Sequence, residues 1–172
     1  MTVIRGKTGW IVVDPLLSAE TAAASMDLVD RTLGKRPVVG VIYTHSHADH
    51  FGGVRGVIDE ADAKVSNVPI IAPNGFTAAT VAENLMAGNA MARRAEFQFG
   101  NHLPIGPAGK VSIGLGPGLS DGTVGLIRPT EELGTGVTKR TIDGIDFEFV
   151  DAGQTEAPSE FMFYLPQFNA LC

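Results

Sequence analysis

The stretch VVGVIYTHSHADHFGG, residues 38–53, joins an apolar run to a cluster that holds three of the chain's four histidines. Val38 to Thr44 is rich in β-branched residues and follows Pro37, a pattern that predicts a buried strand. The histidines therefore come where a strand ends and the chain turns. Because open α/β sheets bind their ligands at such strand ends, this segment is the first candidate for a functional site.

The cluster has the pattern H-x-H-x-D-H, with His45, His47, Asp49 and His50 in six positions. On an extended segment residues two apart point the same way, so His45 and His47 can present their imidazoles to one metal ion. The turn that follows swings Asp49 and His50 toward a second ion beside the first. We predict a metal site; the alternatives are a helix N-cap role for Asp49 and histidines that merely lie at the surface.

Composition limits what this site can bind. The chain has 172 residues, 44% of them hydrophobic, which is enough for one domain with a sizeable core. The net charge is −6 and no basic run is longer than Arg93-Arg94, so we expect no nucleic-acid partner. Cys172 is the single cysteine, which leaves imidazole and carboxylate as metal ligands.

Membrane and export signals are not visible in the sequence. No apolar run approaches the roughly 20 residues that a transmembrane helix needs. The first ten residues, MTVIRGKTGW, lack the apolar core of a signal peptide. We therefore expect no transmembrane segment, and the location of the protein is unknown.

Strand and helix signals alternate along the first half of the chain. Trp10 to Asp14 is a predicted strand, and Ser18 is the predicted N-cap of a helix that Gly34 ends. A second helix is expected around Val54 to Ala63, and a strand at Pro69 to Pro73. This order predicts an α/β sheet with parallel strands.

A helix is predicted from Thr77 to Phe97, with an apolar stripe that includes Leu85 and a bend at Gly88. Gly100 to Gly136 then contains nearly half of the chain's 21 glycines and four of its ten prolines. This composition predicts a long, turn-rich excursion. Loops of such length either shape a functional site or are disordered, and both interpretations stay open.

The carboxylate-rich segment TEAPSE, Thr155 to Glu160, is a second source of metal ligands. It is predicted to join the strands Ile145–Val150 and Phe161–Leu165, after a hairpin that turns at Asp143-Gly144. Its alternative interpretation is a solvated acidic turn. The fourth histidine, His102, is expected to be a loop residue away from the metal.

Four segments together resemble the zinc-dependent alkylsulfatase branch of the metallo-β-lactamase superfamily, the dodecyl sulfate hydrolases. They are YTHSHADHFGGVRGV, ENLMAGNAMARRA, GLGPGLSDGTVGLIRPT and DGIDFEFVDAGQTEAPSEFMFYLP, which occur in the family's order. The resemblance implies an α/β fold, the metallo-β-lactamase-like αβ/βα sandwich, incomplete at both ends. It implies one partial domain over residues 1–172, with a helical and Gly/Pro-rich insertion at about 77–136.

The same resemblance implies a dinuclear zinc hydrolase of alkyl sulfate esters, with a metal-bound hydroxide as nucleophile or base. Asp49 is the expected catalytic residue, and Glu160 a less favoured ligand than its neighbour. Asp14 is expected to be a hydrogen-bond partner of a ligand histidine, with a turn residue at the strand end as the alternative. The implied ligands of the two zinc ions are His45, His47, Asp49, His50 and Glu156.

Other functions stay open. The chain could be another hydrolase of this fold, a lactonase or thioesterase, or an inactive truncated metal-binding fragment. Two zinc ions need more donors than these residues supply, so the resemblance implies further ligands beyond Cys172 and a homodimeric full-length enzyme. An alkyl chain would need an apolar channel, for which Leu85–Met91 and Phe161–Phe163 are the candidate walls; the alternative for both stretches is the helix and strand core.

Overall fold

A five-stranded sheet forms the first layer of the computed structural model, which describes residues 1–114 and 116–172. β1 is antiparallel to β2, and every other neighbouring pair is parallel, as the alternation of strands and helices predicted. The strands follow one another across the sheet in chain order: β1 (Thr2–Arg5), β2 (Trp10–Val13), β3 (Val38–Ile42), β4 (Ile70–Ala72) and β5 (Glu131–Glu132).

The second sheet is a four-stranded antiparallel meander. The predicted hairpin is confirmed: Asp143 and Gly144 form the turn, both with positive φ, as the two central positions of a type I′ turn require. A 3₁₀ turn at Pro166–Phe168 precedes the last strand. The strands are β6 (Val137–Ile142), β7 (Ile145–Asp151), β8 (Phe161–Leu165) and β9 (Ala170–Leu171).

The two sheets enclose one hydrophobic core between them. Alternate residues of β7 and β8 point inward, so Phe147, Phe149 and Phe163 are buried against Ile11 and Ile42 of the first sheet. This packing confirms the sandwich. The outer face of the second sheet has no helical layer among the described residues, so the fourth layer of the implied αβ/βα architecture is not seen there.

Helix α1 (Ala19–Leu33) lies on the outer face of the first sheet, where Met26 packs near Trp10. Its predicted ends are confirmed, because the Ser18 hydroxyl accepts the Thr21 N–H. Apolar residues recur along this helix at Ala22, Met26, Val29 and Leu33; Ala22 and Met26 are buried, but Leu33 at the end of the helix is exposed.

The helix predicted around Val54 to Ala63 is wrong in its extent. The chain forms a 3₁₀ turn at Val54–Gly56 and a separate helix, α3 (Glu60–Val65). Asp59 causes the break, because its carboxylate accepts the backbone N–H groups of the first turn of α3. Gly56 is required in the 3₁₀ turn, since a Cβ there would lie 1.9 Å from the Ala19 carbonyl oxygen.

The long helix predicted from Thr77 to Phe97 is divided into α4 (Phe76–Val81), a π-helical turn (Ala82–Met86) and α5 (Gly88–Phe99). The predicted bend at Gly88 corresponds to the start of α5. Leu85 was predicted to be buried and is instead 78% exposed. None of the helices in the described ranges has the length and apolar character that a membrane crossing requires.

The predicted turn-rich excursion follows α5, and its described residues contain no helix or strand before β5. Its last part returns to the helices of the first sheet. The Ala19 N–H donates to the Thr123 carbonyl oxygen, and the Gly125 N–H donates to that of Gly52. This end of the excursion therefore lies next to the histidine cluster.

Candidate metal centre

The H-x-H-x-D-H motif begins at the carboxyl end of β3, which stops two residues earlier than predicted. Tyr43 still pairs with the sheet, because its N–H donates to the Ile71 carbonyl oxygen. Its buried ring stacks on Phe76 at 5.2 Å between centroids, and its hydroxyl donates to the Ile127 carbonyl oxygen. The start of the motif is thus fixed in the core.

His45 joins the two sheets at this edge. It forms an isolated antiparallel bridge with Glu160, the residue just before β8, and it is only 4% exposed. His47 occupies the position before the short helix α2 (Ala48–Phe51), with extended backbone angles. The motif therefore has the predicted backbone, an extended segment followed by a turn, and this backbone positions the side chains of His45 and His47.

Three of the predicted ligands converge. The Glu156 Oε1 atom lies 3.9 Å from His45 Nε2 and 3.7 Å from His47 Nδ1. One ligand atom from each residue lies within 4.8 Å of the other two. His45 Nε2 is buried and has no hydrogen-bond partner among the residues that the structure describes, which is costly unless a ligand binds it. The two imidazoles and the carboxylate form a set of ligands that fits a zinc ion.

Asp49 and His50 lie beside this group rather than within it. The His50 ring lies 4.0 Å from the His45 ring between centroids, and His50 Nε2 lies 3.5 Å from Asp49 Oδ2. Their contact lowers the pKa of Asp49 through the hydrogen bond to His50. These two residues offer an imidazole and a carboxylate at the position where a second cation was predicted.

Asp14 controls which nitrogen of each ring faces the site. Its Oδ2 atom lies 2.9 Å from His50 Nδ1, the hydrogen bond that the sequence predicted for a strand-end aspartate. The same oxygen accepts the Thr44 hydroxyl at 2.7 Å. Since the hydroxyl has only one proton, its oxygen accepts from His45 Nδ1, which lies 2.9 Å away. Since Nδ1 of each ring is held in this way, Nε2 is the nitrogen that faces Glu156 in His45 and Asp49 in His50.

The protonation states follow from these contacts. Burial, followed by the nearby His50, lowers the pKa of His45, which favours the neutral imidazole that binds metals. Burial alone would lower the pKa of His50, but the hydrogen bonds to Asp14 and Asp49 raise it to about 10. The two carboxylates therefore favour positive charge at His50, and the same negative charges would favour a metal cation.

Asp14 itself has a rare backbone conformation. Its φ is 53°, a left-handed value that aspartate tolerates better than most residues. The Asp14 N–H continues the sheet by donating to the Ile42 carbonyl oxygen. This conformation turns the chain at the strand end and brings the carboxylate under the histidines.

The TEAPSE loop presents Glu156 through the neighbouring Glu160. Glu160 Oε2 accepts the Thr155 hydroxyl at 2.6 Å, the Glu156 N–H at 2.9 Å and the Ala157 N–H at 3.1 Å. Burial opposes ionisation of Glu160, but these bonds hold its pKa below the usual value. Glu160 thus folds the loop, and the Glu156 side chain, 66% exposed, reaches the histidines.

His102 is a loop residue, as predicted. It follows α5 and forms an exposed ion pair with Glu96, 3.0 Å between His102 Nε2 and Glu96 Oε1. It takes no part in the group of possible ligands formed by His45, His47 and Glu156.

Sequence reasoning missed Glu83. Its Oε1 atom lies 3.6 Å from His47 Nε2, on the side of the ring that faces away from Glu156. A single glutamate in a helical segment has no spacing relative to the motif that would reveal this contact. Only the packing of the π-helical turn against the strand end brings the two residues together.

An apolar groove of about 530 Å³ opens next to His47 and Asp49. Two residues of the expected wall segment Leu85–Met91, Gly88 and Met91, line this groove. Phe161 and Phe163 were also proposed as walls and are instead buried between the sheets. The remaining apolar lining comes from Leu17, Ala48, Ala92, Ala95, Phe99 and Leu119.

The chain belongs to the metallo-beta-lactamase superfamily, whose family description matches residues 1–159. It is 50% identical over 171 residues to a linear primary-alkylsulfatase from Pseudomonas sp and 50% identical over 171 residues to an alkyl/aryl-sulfatase from Saccharomyces cerevisiae. These alignments cover 99% of this chain but only 25% and 26% of the relatives. The chain therefore spans about a quarter of the length of the curated relatives it matches.

Solved structures give the same result. The stereoselective inverting sec-alkylsulfatase Pisa1 from Pseudomonas sp. superimposes with a TM-score of 0.91 at 42% identity, over 98% of this chain and 27% of that chain. A metallo-beta-lactamase from Pontibacter korlensis has a TM-score of 0.57 at 18% identity, over 98% of this chain and 56% of that chain, a likeness of fold alone. The fold and the family resemblance predicted from the sequence are confirmed.

Proposed function

We propose that this chain carries part of the active site of a dinuclear zinc hydrolase that cleaves alkyl sulfate esters. The observation that carries the proposal is the convergence of His45, His47 and Glu156 around a buried imidazole nitrogen that has no hydrogen-bond partner in the described part of the chain. The similarity to alkylsulfatases over nearly the whole chain supports the choice of substrate.

His45, His47 and Glu156 would hold one ion, and Asp49 with His50 would hold the other. Imidazole and carboxylate donors without thiolates suit zinc. When bound, the metal pair supplies Lewis acidity toward the ester oxygens and a source of hydroxide near neutral pH. Five protein ligands leave positions to be filled by water, substrate or donors from outside this chain.

The groove suits the alkyl part of such a substrate. It begins at His47 and Asp49 and continues between apolar side chains of α5, so a long chain would lie on Met91 and Ala92 while its sulfate faces the metals. The net charge of −6 repels an anionic ester, and the metal pair supplies the local positive charge that attracts it. Asp49, at the mouth of the groove, is the proposed catalytic residue.

Zinc content and sulfate release from dodecyl sulfate test the proposal, measured on this chain and on a longer chain that continues past Cys172. We expect this chain to bind about one zinc ion tightly with little turnover, and the longer chain to bind two and release sulfate. Cleavage of lactones or glutathione thioesters, but not of alkyl sulfates, would instead indicate another hydrolase of this fold. Absence of zinc from both chains would contradict the metal centre.

A substitution in the groove tests the position of the alkyl chain. Ala92→Trp places an indole in the groove, so in the longer chain it should raise KM for dodecyl sulfate much more than for a short alkyl sulfate. Ala24→Trp, at an exposed position of α1, is the matched control. An equal effect on short and long substrates would contradict this position.

A further inference from the structure

We infer that Glu83 is a positioning residue that orients His47 for metal binding, an inference that rests on the proposed metal centre. The two nitrogens of the His47 ring face different carboxylates. Nδ1 lies 3.7 Å from Glu156 Oε1, on the metal side, and Nε2 lies 3.6 Å from Glu83 Oε1, on the groove side. His47 therefore lies between the proposed ligand Glu156 and a carboxylate of the helical segment.

A carboxylate stabilises a proton on the ring nitrogen that it faces, and here Glu156 faces Nδ1 while Glu83 faces Nε2. Glu83 favours the proton on Nε2, which leaves the lone pair on Nδ1 directed toward His45 and Glu156. At 3.6 Å the contact is longer than a direct hydrogen bond, so Glu83 acts through the attraction between its negative charge and the N–H at Nε2. Its effect is to orient the ring and to increase the negative charge around the metal ligands.

Burial of Glu83 supports this role. The side chain is 23% exposed, and its Oε2 atom is buried without a hydrogen-bond partner among the described residues. A buried carboxylate oxygen without a donor is costly, because nothing replaces the water that it loses. A cation held by His47 would offset that cost, because its positive charge would stabilise the buried carboxylate.

The helical segment that carries Glu83 is anchored to the strand that carries the motif. Phe76, at the start of α4, is fully buried and stacks on Tyr43, two residues before His45. The backbone N–H of Ala87 donates to the carbonyl oxygen of Ala82, the i→i+5 bond of a π-helical turn. Such turns are common at functional sites, and this one contains Glu83.

The test compares Glu83→Ala and Glu83→Gln with the wild type and with Glu96→Gln. Glu96 is a suitable control because it also faces a histidine, His102, but on the exposed end of α5. Zinc affinity is measured by competition with a chromophoric chelator. The tautomer of His47 is measured from its ¹⁵N chemical shifts in the metal-free chain, a readout that a merely structural role would not change.

We expect Glu83→Ala to weaken zinc binding by about 10- to 100-fold and to reduce the fraction of His47 with its proton on Nε2. Glu83→Gln keeps an oxygen acceptor and should lie between Glu83→Ala and the wild type, while Glu96→Gln should match the wild type. If the wild type binds zinc and Glu83→Ala binds it equally well with the same tautomer, the inference is wrong. If the wild type binds no zinc, the proposed metal centre fails, and the inference with it.

Discussion

Asp14 and His50 are joined by a 2.9 Å contact between Oδ2 and Nδ1, although 35 residues separate them in the chain. The same carboxylate receives the N–H and the hydroxyl of Thr44 at 2.8 and 2.7 Å. One side chain at the end of β2 therefore orients His50 directly and His45 through Thr44. Two histidines of the motif depend on a residue that lies outside the motif.

Asp14→Asn should weaken zinc binding by about 10- to 100-fold, because an amide orients His45, through Thr44, and His50 less strongly than a carboxylate does. Asparagine also tolerates the positive φ of this position, so the fold should be kept. Chelator competition gives the affinity, and Asp27→Asn on the exposed face of α1 is the control. Equal zinc affinity in Asp14→Asn and the wild type would contradict the role of Asp14.

Thr44→Val and Thr44→Ser test whether Asp14 orients His45 through the Thr44 hydroxyl. Valine has nearly the same shape as threonine but no hydroxyl to accept the His45 Nδ1 proton, so we expect it to weaken zinc binding. Serine keeps the hydroxyl and should retain most of the affinity. If both variants bind zinc equally, Thr44 does not control the ring of His45.

His45→Ala should remove the tightly bound zinc of this chain, whereas Asp49→Ala should remove the second zinc that the longer chain binds. The two variants should also differ in stability. His45 is buried and bridges the two sheets, so its loss should reduce the free energy of unfolding by about 1–3 kcal/mol. Asp49 is partly exposed on a short helix, and its loss should cost about 0.5 kcal/mol or less. Zinc analysis and urea denaturation of the metal-free chains measure the two effects. Full zinc content in both variants would contradict the metal site.

Glu156→Gln should reduce zinc binding more than Glu160→Gln, because Glu156 faces the two histidines while Glu160 supports the loop. His102→Ala should have no effect, since His102 is paired with Glu96 after α5. Zinc content at a limiting zinc concentration ranks the three variants. Loss of zinc from the His102 variant alone would reverse this assignment of the ligands.

The turn that closes the hairpin of the second sheet should give a pH-dependent stability. Burial would raise the pKa of Asp143, but hydrogen bonds from Thr8 and Gly9 hold it below the usual value. Because the folded state has the lower pKa, this stabilisation is complete above about pH 4, the unfolded pKa, and is lost as the pH falls through the folded value.

Asp143→Asn should therefore be less stable than the wild type at pH 6, and the difference should decrease toward pH 3. Urea midpoints at several pH values measure it. Asparagine suits the positive φ of this turn, so the comparison isolates the charge. A difference that is constant with pH would show that the carboxylate charge of Asp143 does not stabilise the turn.

Much of this molecule follows from local sequence. The apolar run before His45 predicted the buried strand, Ser18 and Gly34 predicted the ends of α1, and Asp143-Gly144 predicted the hairpin turn. These features depend on residues within about ten positions of one another, so hydrophobic periodicity, capping and turn conformation determine them. The spacing of the H-x-H-x-D-H motif likewise indicated which side chains would meet.

Only the tertiary structure decided the contacts between distant segments. Glu83 next to His47, Glu160 folding the loop that presents Glu156, and Asp14 orienting two rings all depend on which elements pack at the same sheet edge. The sequence also did not predict that the long helix is divided into three parts. Leu85 has the right spacing for a buried stripe, yet it faces solvent. Local patterns determine which face of an element is apolar. The position and chemical partners of a side chain are determined by packing between elements that the sequence places far apart.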